Sequence, residues 1–229
     1  MIQIFKTNNR GTPPQLIDFP WNLVMNEDVN SIIRDKLNTQ SVFILIYDKI
    51  RESNRKAGFE KFGLIHIDLS AELSRKRSTD MSVPDIHPFY FFRSEENEKV
   101  VMPCHKNDHF FLLFFDLNSG QVIYADSNSS FFFASKMVHN ISHQLRMRCC
   151  EIKHLNPPQI TLQKDGVSCG VHTIINCEKL CEENLSGLGE DISVQVERKR
   201  LHKHLNTLLE GNPIEEADYE ELGQRGGRG

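Results

Sequence analysis

Four residues in chain order, His109, Asp126, Gln163 and Cys169, have the types and spacing from which a thiol nucleophile site is built. Cys169 stands in Ser168-Cys169-Gly170, after the turn-forming Lys164-Asp165-Gly166 and at the head of an apolar helical run. A cysteine at a helix start is chemically distinctive, because the unsatisfied N–H groups and the axial dipole favour thiolate over thiol. Gln163 precedes the turn by one residue, and its amide is placed to fold back beside Cys169. There it would donate to a developing oxyanion together with a backbone N–H.

His109 opens the run "HFFLLFF" and Asp126 closes "VIYAD", with the turn chemistry "DLNSGQ" between them. These three pieces read as a hairpin. A loop over 116–119 pairs Phe115 with Gly120 and sets His109 opposite Asp126 on a shared face, with Cβ atoms about 5 Å apart. In that arrangement the carboxylate accepts the imidazole Nδ1–H and leaves Nε2 as the base. A loop one residue longer or shorter would put the pair on opposite faces.

The elements that must position these residues follow from periodicity. Residues 28–37 carry Val29, Ile32, Ile33 and Leu37 on one helical stripe, with Asn26 or Asp28 as a cap. "VFILIY" (42–47) and "LIHIDL" (63–68) read as strands, and the polar, basic stretches "DKIRESNRKAG" and "SRKRSTDMSVPD" as solvated loops. "HFFLLFF" is apolar at every position, which describes a central strand covered on both sides. Ala134, Met137, Val138, Ile141 and Leu145 make an amphipathic helix. "RCCEIKHL" is a further strand ended by Asn156-Pro157-Pro158, and helices follow from Cys169 and around Leu201, Leu205 and Leu208. The pattern is one α+β domain over 1–212. Residues 213–229, acidic then Gly/Arg-rich, read as a disordered tail.

Composition narrows the function classes. A chain of 229 residues with 39% apolar and 25% charged residues has the profile of a soluble globular protein. Its formal charge of −4 gives no electrostatic case for nucleic acid or a membrane surface as partner. No apolar run reaches the roughly 18 residues of a membrane span, and the N-terminal residues lack signal-peptide architecture. An intracellular protein with six free cysteines and no disulfide framework is the expectation. Nothing in the sequence sets an oligomeric state.

With the four residues goes a resemblance. "DHFFLLFFDLNSGQVIYADS" and "LQKDGVSCGVHTI" resemble the ubiquitin-like-protein proteases, also called sentrin-specific proteases, over about residues 100–182. That family pairs His-Trp with a later Asp-Ser, then Gln, a short turn and Asp-Cys-Gly. Here the positions are His109-Phe110, Asp126-Ser127, and Gln163 with Ser168-Cys169-Gly170, at the family's spacing. The resemblance implies a mixed sheet flanked by helices, the papain-like, adenovirus-protease type of fold. It also implies a cysteine peptidase that cleaves after the C-terminal Gly-Gly of a ubiquitin-like modifier and needs no cofactor or metal. SUMO-like and Nedd-like modifiers, then ubiquitin, and their conjugates are the implied partners. Phe110 takes the place of the Trp that covers the substrate tail, and Ser168 the place of Asp. Upstream, "VMNEDVNSIIRDKL" is similar to the family's Trp-Leu-Asn-Asp helix start, with Val24 for Trp and Glu27 for Asp, a position that helps hold the modifier.

Plainer or rival readings stand beside these. Cys169 taken alone is more often a small buried residue, and its three companions reverse that balance. Cys104, His105, Asp108 and His109 are all ligand types, but no second Cys/His cluster at zinc spacing accompanies them. Cys177 and Cys181 read as core residues, and Phe131-Phe132-Phe133 as buried under the following helix. Arg225-Gly226-Gly227 mimics a modifier's end, yet reads more simply as part of the tail. The competing functions are an acyltransferase on the same scaffold, which would take its acetyl group from coenzyme A, and a non-catalytic modifier-binding module. Asp126, where the acyltransferase branch usually has Glu, favours the protease.

Overall fold

In this computed structural model the described residues are 30–32, 36–70, 91–92, 96–128 and 135–211. Helix α1 (Thr39–Ala57) leads into β1 (Phe62–Ile65), β2 (Phe91–Phe92), β3 (Lys99–Lys106), β4 (His109–Asp116) and β5 (Gln121–Ala125). Helix α2 (Ser135–Gln144), β6 (Glu151–His154), α3 (Cys169–Cys181), a 3-10 turn (Ser186–Gly189) and α4 (Val194–Gly211) complete the order. The strands form one sheet in the order β2-β1-β3-β4-β5-β6. It is mixed: β1 runs parallel to β3 and β5 parallel to β6, while the other neighbours are antiparallel. The α+β class with a mixed, helix-flanked sheet is therefore as the sequence implies.

Strand β4 is central and buried on both faces. Phe110, Leu112 and Phe114 join the apolar side chains of α1, α3 and α4. Phe111, Leu113 and Phe115 join Val138, Ile141 and Leu145 on the α2 side. That alternation is the pleat itself, and each fully buried side chain of this size contributes about 1.5–3 kcal/mol over exposure.

One strand reading is overturned. Residues 42–47 lie within α1, as does most of the "DKIRESNRKAG" stretch read as a loop. Asn38 caps the helix by accepting from the Ser41 N–H at 2.7 Å, and Gly58 ends it at φ 78° with its N–H on Asn54 O. The basic residues Arg55 and Lys56 sit in the last turn, where they favour the dipole. Val42 to Tyr47 are all 0–3% exposed, so no polar face breaks the run. A buried helix segment and a buried strand are indistinguishable over six residues. Similarly, "LIHIDL" is strand only through Ile65, and residues 67–70 form a helical turn. Of the 28–37 stripe, only 30–32 are described as helix. Glu27, Val24, Phe131 to Phe133, the 75–77 basic stretch and the 213–229 tail lie outside the described residues.

The hairpin forms, with a shifted register. Asp116 pairs with Gln121 and Leu112 with Ala125, so Phe115 faces Val122 rather than Gly120. Gly120 belongs to the turn: its φ is 75° and its N–H closes on Asp116 O at 2.9 Å. The Asp116 carboxylate accepts from the Asn118 and Ser119 N–H groups at 3.1 Å. A Cβ on Gly120 would run into Cys149. Only glycine suits that position.

Candidate active site

The register shift is two residues, not one, and parity is what the site needs. Continuing the ladder sets Phe111 opposite Asp126 and leaves His109 diagonal to it on the same face. Across that longer diagonal the far ring nitrogen reaches the carboxylate. His109 Nε2 lies 2.7 Å from Asp126 Oδ1. The expected use of Nδ1 for this bond is thereby corrected, and the nitrogen left for other work is Nδ1.

Asp126 is 5% exposed and is held from three sides. Its Oδ1 also accepts the Asn128 N–H at 2.8 Å, and its Oδ2 accepts the Tyr124 hydroxyl at 3.2 Å. The imidazole of His109 lies parallel to the Phe111 ring, 6.4 Å away.

Cys169 is the first residue of α3 and is 1% exposed. Burial pushes its thiol up, but the neighbouring His109 ring and the backbone N–H groups of Phe110 and Gly170 outweigh it, so the pKa lies below the ordinary thiol value. For His109, burial favours the neutral ring, and the bonds to Asp126 and Cys169 overcome it, raising the pKa to about 9. The two shifts have a shared cause: the Cys169 sulfur and the His109 ring each favour the charged form of the other. Gly170 lets α3 pack closely on the start of α1: a Cβ there would stand 3.2 Å from Leu37 and Val42, and 3.4 Å from Phe110 of β4.

Gln163 lies beside this group rather than in it. Its Oε1 accepts the Ser127 hydroxyl at 2.8 Å, its backbone N–H reaches Ser127 O at 3.0 Å, and its Nε2 donates to Asp165 O at 2.7 Å. Ser127, next to Asp126, thus ties the Gln163 loop to the hairpin end. Asp165 organises the corner before Cys169, its Oδ1 accepting the Val167 and Ser168 N–H groups at 2.9 and 2.7 Å. Arg198 of α4 braces the same corner from Val167 O and also holds Ile32 O. Sequence reading missed Tyr124, Asp165 and Arg198. The Asp-Gly turn was a signal for Asp165; nothing local marks Arg198, 31 residues from its carbonyl partner.

Phe110 is 1% exposed, with its ring centroid 4.4 Å from that of His105. Its ring is thus a packed one, not an exposed cover for a substrate tail. Along β3, Cys104 is buried in the α2-side core while Asp108 is in an exposed turn, so the "CHKNDH" side chains do not converge. Among the described residues, no three His, Cys, Asp or Glu side chains group to hold a metal ion. A cleft of about 910 Å³ opens between α1 and α4, lined by Asp48, Arg51, Glu60 and His204, and shares no residue with the site.

No family model matches the sequence, and no curated protein matches it. Solved structures do. The catalytic domain of the Ulp1-like SUMO protease of Chaetomium thermophilum superposes with a TM-score of 0.61 at 16% identity, over 89% of this chain and 85% of that one. The C-terminal Ulp1 protease domain in complex with Smt3, the yeast ortholog of SUMO, gives 0.56 at 17% identity, over 78% and 80%. The Xanthomonas campestris effector XopD bound to ubiquitin gives 0.51 at 16% identity, over 73% and 90%. The chain has the fold of the Ulp1-type proteases.

Proposed function

We propose that this protein is a cysteine peptidase or isopeptidase that cleaves after the C-terminal Gly-Gly of a ubiquitin-like modifier, SUMO-like in the first instance. The observation that carries the proposal is the linear order Asp126–His109–Cys169, with the sulfur at a helix N-terminus and the carboxylate 2.7 Å from the ring. The fold shared with SUMO proteases and with a ubiquitin-bound effector supports the substrate class.

In this reading the Cys169 thiolate attacks the scissile carbonyl, and the charge moves to the carbonyl oxygen. A backbone N–H at the start of α3 and, after release from Asp165 O, the Gln163 amide are the donors for that oxyanion. His109 gives its Nδ1 proton to the departing amine as the C–N bond breaks, leaving a thioester. The neutral ring then takes a proton from water, whose oxygen attacks the thioester and frees the modifier's carboxylate and the Cys169 thiolate. Asp126 holds Nε2–H and stabilises the imidazolium. A cysteine 1% exposed beside a closely packed Gly170 favours a slender substrate segment, which suits glycine. Glu27 is proposed to contact the modifier and Phe110 to shape the slot from beneath. The protein works inside cells without cofactor or metal, and no helix among the described residues is long and apolar enough to cross a membrane.

The test is cleavage of a panel of modifier–Gly-Gly fusions (SUMO, Nedd and ubiquitin types) by the protein and its Cys169→Ala variant. Cleavage after Gly-Gly that vanishes in the variant is the expected result. Acetyl transfer from coenzyme A without cleavage would establish the acyltransferase reading. Modifier binding with neither reaction would establish the binding module.

A further inference from the structure

The start of α3 is not fixed by its own cap. Asn38, the N-cap of α1, has extended backbone at ψ 166° and takes the Ser41 N–H on its side chain. Ser168, the N-cap of α3, enters at φ −91° and ψ 5°, and its side chain makes no cap bond. Its hydroxyl is directed at the Asp165 carboxylate at the head of the helix. Cys169 is the next residue, so its sulfur is aimed only as well as the peptide before Ser168 is held.

That peptide, between Val167 and Ser168, has a charged side chain at each end. Its N–H goes to Asp165 Oδ1 at 2.7 Å, and the same oxygen takes the Val167 N–H at 2.9 Å. Its carbonyl, on the opposite edge of a planar trans unit, takes Nη2 of Arg198 at 3.4 Å. The positive end of the peptide dipole thus meets a carboxylate and the negative end a guanidinium, and both bonds are to charged groups. Arg198 is half-buried on α4, and its Nη1 lies on Ile32 O at 3.1 Å. One rigid fork therefore joins a carbonyl of the 30–32 helix to a carbonyl of the nucleophile corner, a span that suits arginine and not lysine. Burial works against the Asp165 carboxylate, but the Val167 and Ser168 bonds and the Arg198 charge hold its pKa below the ordinary value.

We propose that Arg198 is a positioning residue for Cys169: its guanidinium and the Asp165 carboxylate clamp the peptide between Val167 and Ser168 from its two ends, and so set the direction in which α3 presents its first residue to His109. The bond to Ile32 O anchors the guanidinium to a second element. Arg200, two residues further along α4, is the natural contrast, because its bonds go to Glu178 and Glu197. The inference rests on Cys169 as the nucleophile but not on the identity of the substrate.

The experiment compares Arg198→Met, Arg198→Lys, Asp165→Ala, the double variant Arg198→Met/Asp165→Ala, and Arg200→Met as a control from the same helix. Three quantities are read: thermal midpoint, rate of Cys169 alkylation by iodoacetamide as a function of pH, and the kcat and KM of fusion cleavage. Arg198→Met should lower alkylation at pH 7 and kcat by about tenfold each with KM unchanged, the scale of one lost bond to a charged group. Its alkylation profile should also move to higher pH, because a sulfur turned from His109 loses the partner that favours its thiolate. Arg198→Lys keeps the cation but reaches one carbonyl at a time, so it should fall between; it also carries the comparison if the Met variant does not fold. Asp165→Ala should reproduce the loss, and the double variant should be no worse than the larger single one. Arg200→Met should leave alkylation unmoved whatever it does to the midpoint. A folded Arg198→Met or Arg198→Lys protein with unchanged alkylation and kcat would overturn the proposal. So would an equal loss in Arg200→Met, or additive losses in the double variant. Alkylation needs no modifier, so failure of the substrate assignment would leave this reading measurable.

Discussion

At the scale of single residues, Asp126 is the sharpest test of how the site is charged. Asp126→Asn keeps the shape but presents an N–H₂ that competes with Nε2–H, so the proton is pushed toward the wrong nitrogen. A loss in kcat/KM on the order of ten- to a thousandfold is expected, smaller than in a serine triad because a thiolate forms more readily than an alkoxide. The pH profile should move as well. His109 titrates near 9 because the Asp126 and Cys169 bonds outweigh burial. With the carboxylate gone, burial weighs more and the value falls, so the alkaline limb of activity should shift to lower pH. An unmoved limb in a folded variant would mean that Asp126 does not charge the ring. Gln163→Ala should cost about a hundredfold in kcat, roughly 3 kcal/mol, with little change in KM. Unchanged turnover would show that its bond to Asp165 O persists during reaction and that other groups hold the oxyanion.

At the scale of elements, the turn at 117–120 decides whether His109 and Asp126 share a face. Gly120→Ala meets both a left-handed φ of 75° and Cys149, whereas Gly58→Ala meets a φ of 78° with open space around it. The first should cost more than the roughly 1 kcal/mol expected of the second, read from denaturant midpoints. Equal costs would mean that the Cys149 contact yields without strain. What the sequence made legible here depended on local chemistry. Asp-Leu-Asn-Ser-Gly marked a turn, an unbroken apolar run marked β4, and the small Ser-Cys-Gly corner marked the start of α3. Register escaped it, because Gly120 reads equally as turn or strand until its φ is known. Helix α1 escaped it because Val42 to Tyr47 are buried on every side; Ile50 and Asn54, also buried at the helical spacing, extend the period beyond that window. The relation of Arg198 to the Cys169 corner was out of reach altogether, being a product of how α4 packs.

At the scale of the whole molecule, the raised His109 pKa couples stability to pH. His109 is raised from an ordinary 6.5 to about 9, so its contribution is fully present below about 6.5 and is lost as pH rises through 9. The stability difference between the wild type and Asp126→Asn should therefore narrow from pH 6.5 to pH 9.5. A difference that is constant over that range would sever the link between that pKa and the fold. Because the site consists of sulfur, imidazole and carboxylate alone, treatment with a strong chelator should leave cleavage unchanged. Inactivation with rescue by zinc would instead point to a metal held by residues such as Cys104 and His105.

The central claim is that Cys169 is the nucleophile toward the carbonyl that follows a modifier's Gly-Gly. The most direct measurement is intact mass and peptide mapping after incubation with SUMO-, Nedd- and ubiquitin-type modifiers carrying a C-terminal electrophile. One covalent adduct on Cys169 is expected with at least one modifier, strongest with the SUMO type, and none in Cys169→Ala. An adduct on Cys104, Cys149 or Cys150 that survives Cys169→Ala, or no adduct with any modifier in a folded and alkylatable protein, would contradict it.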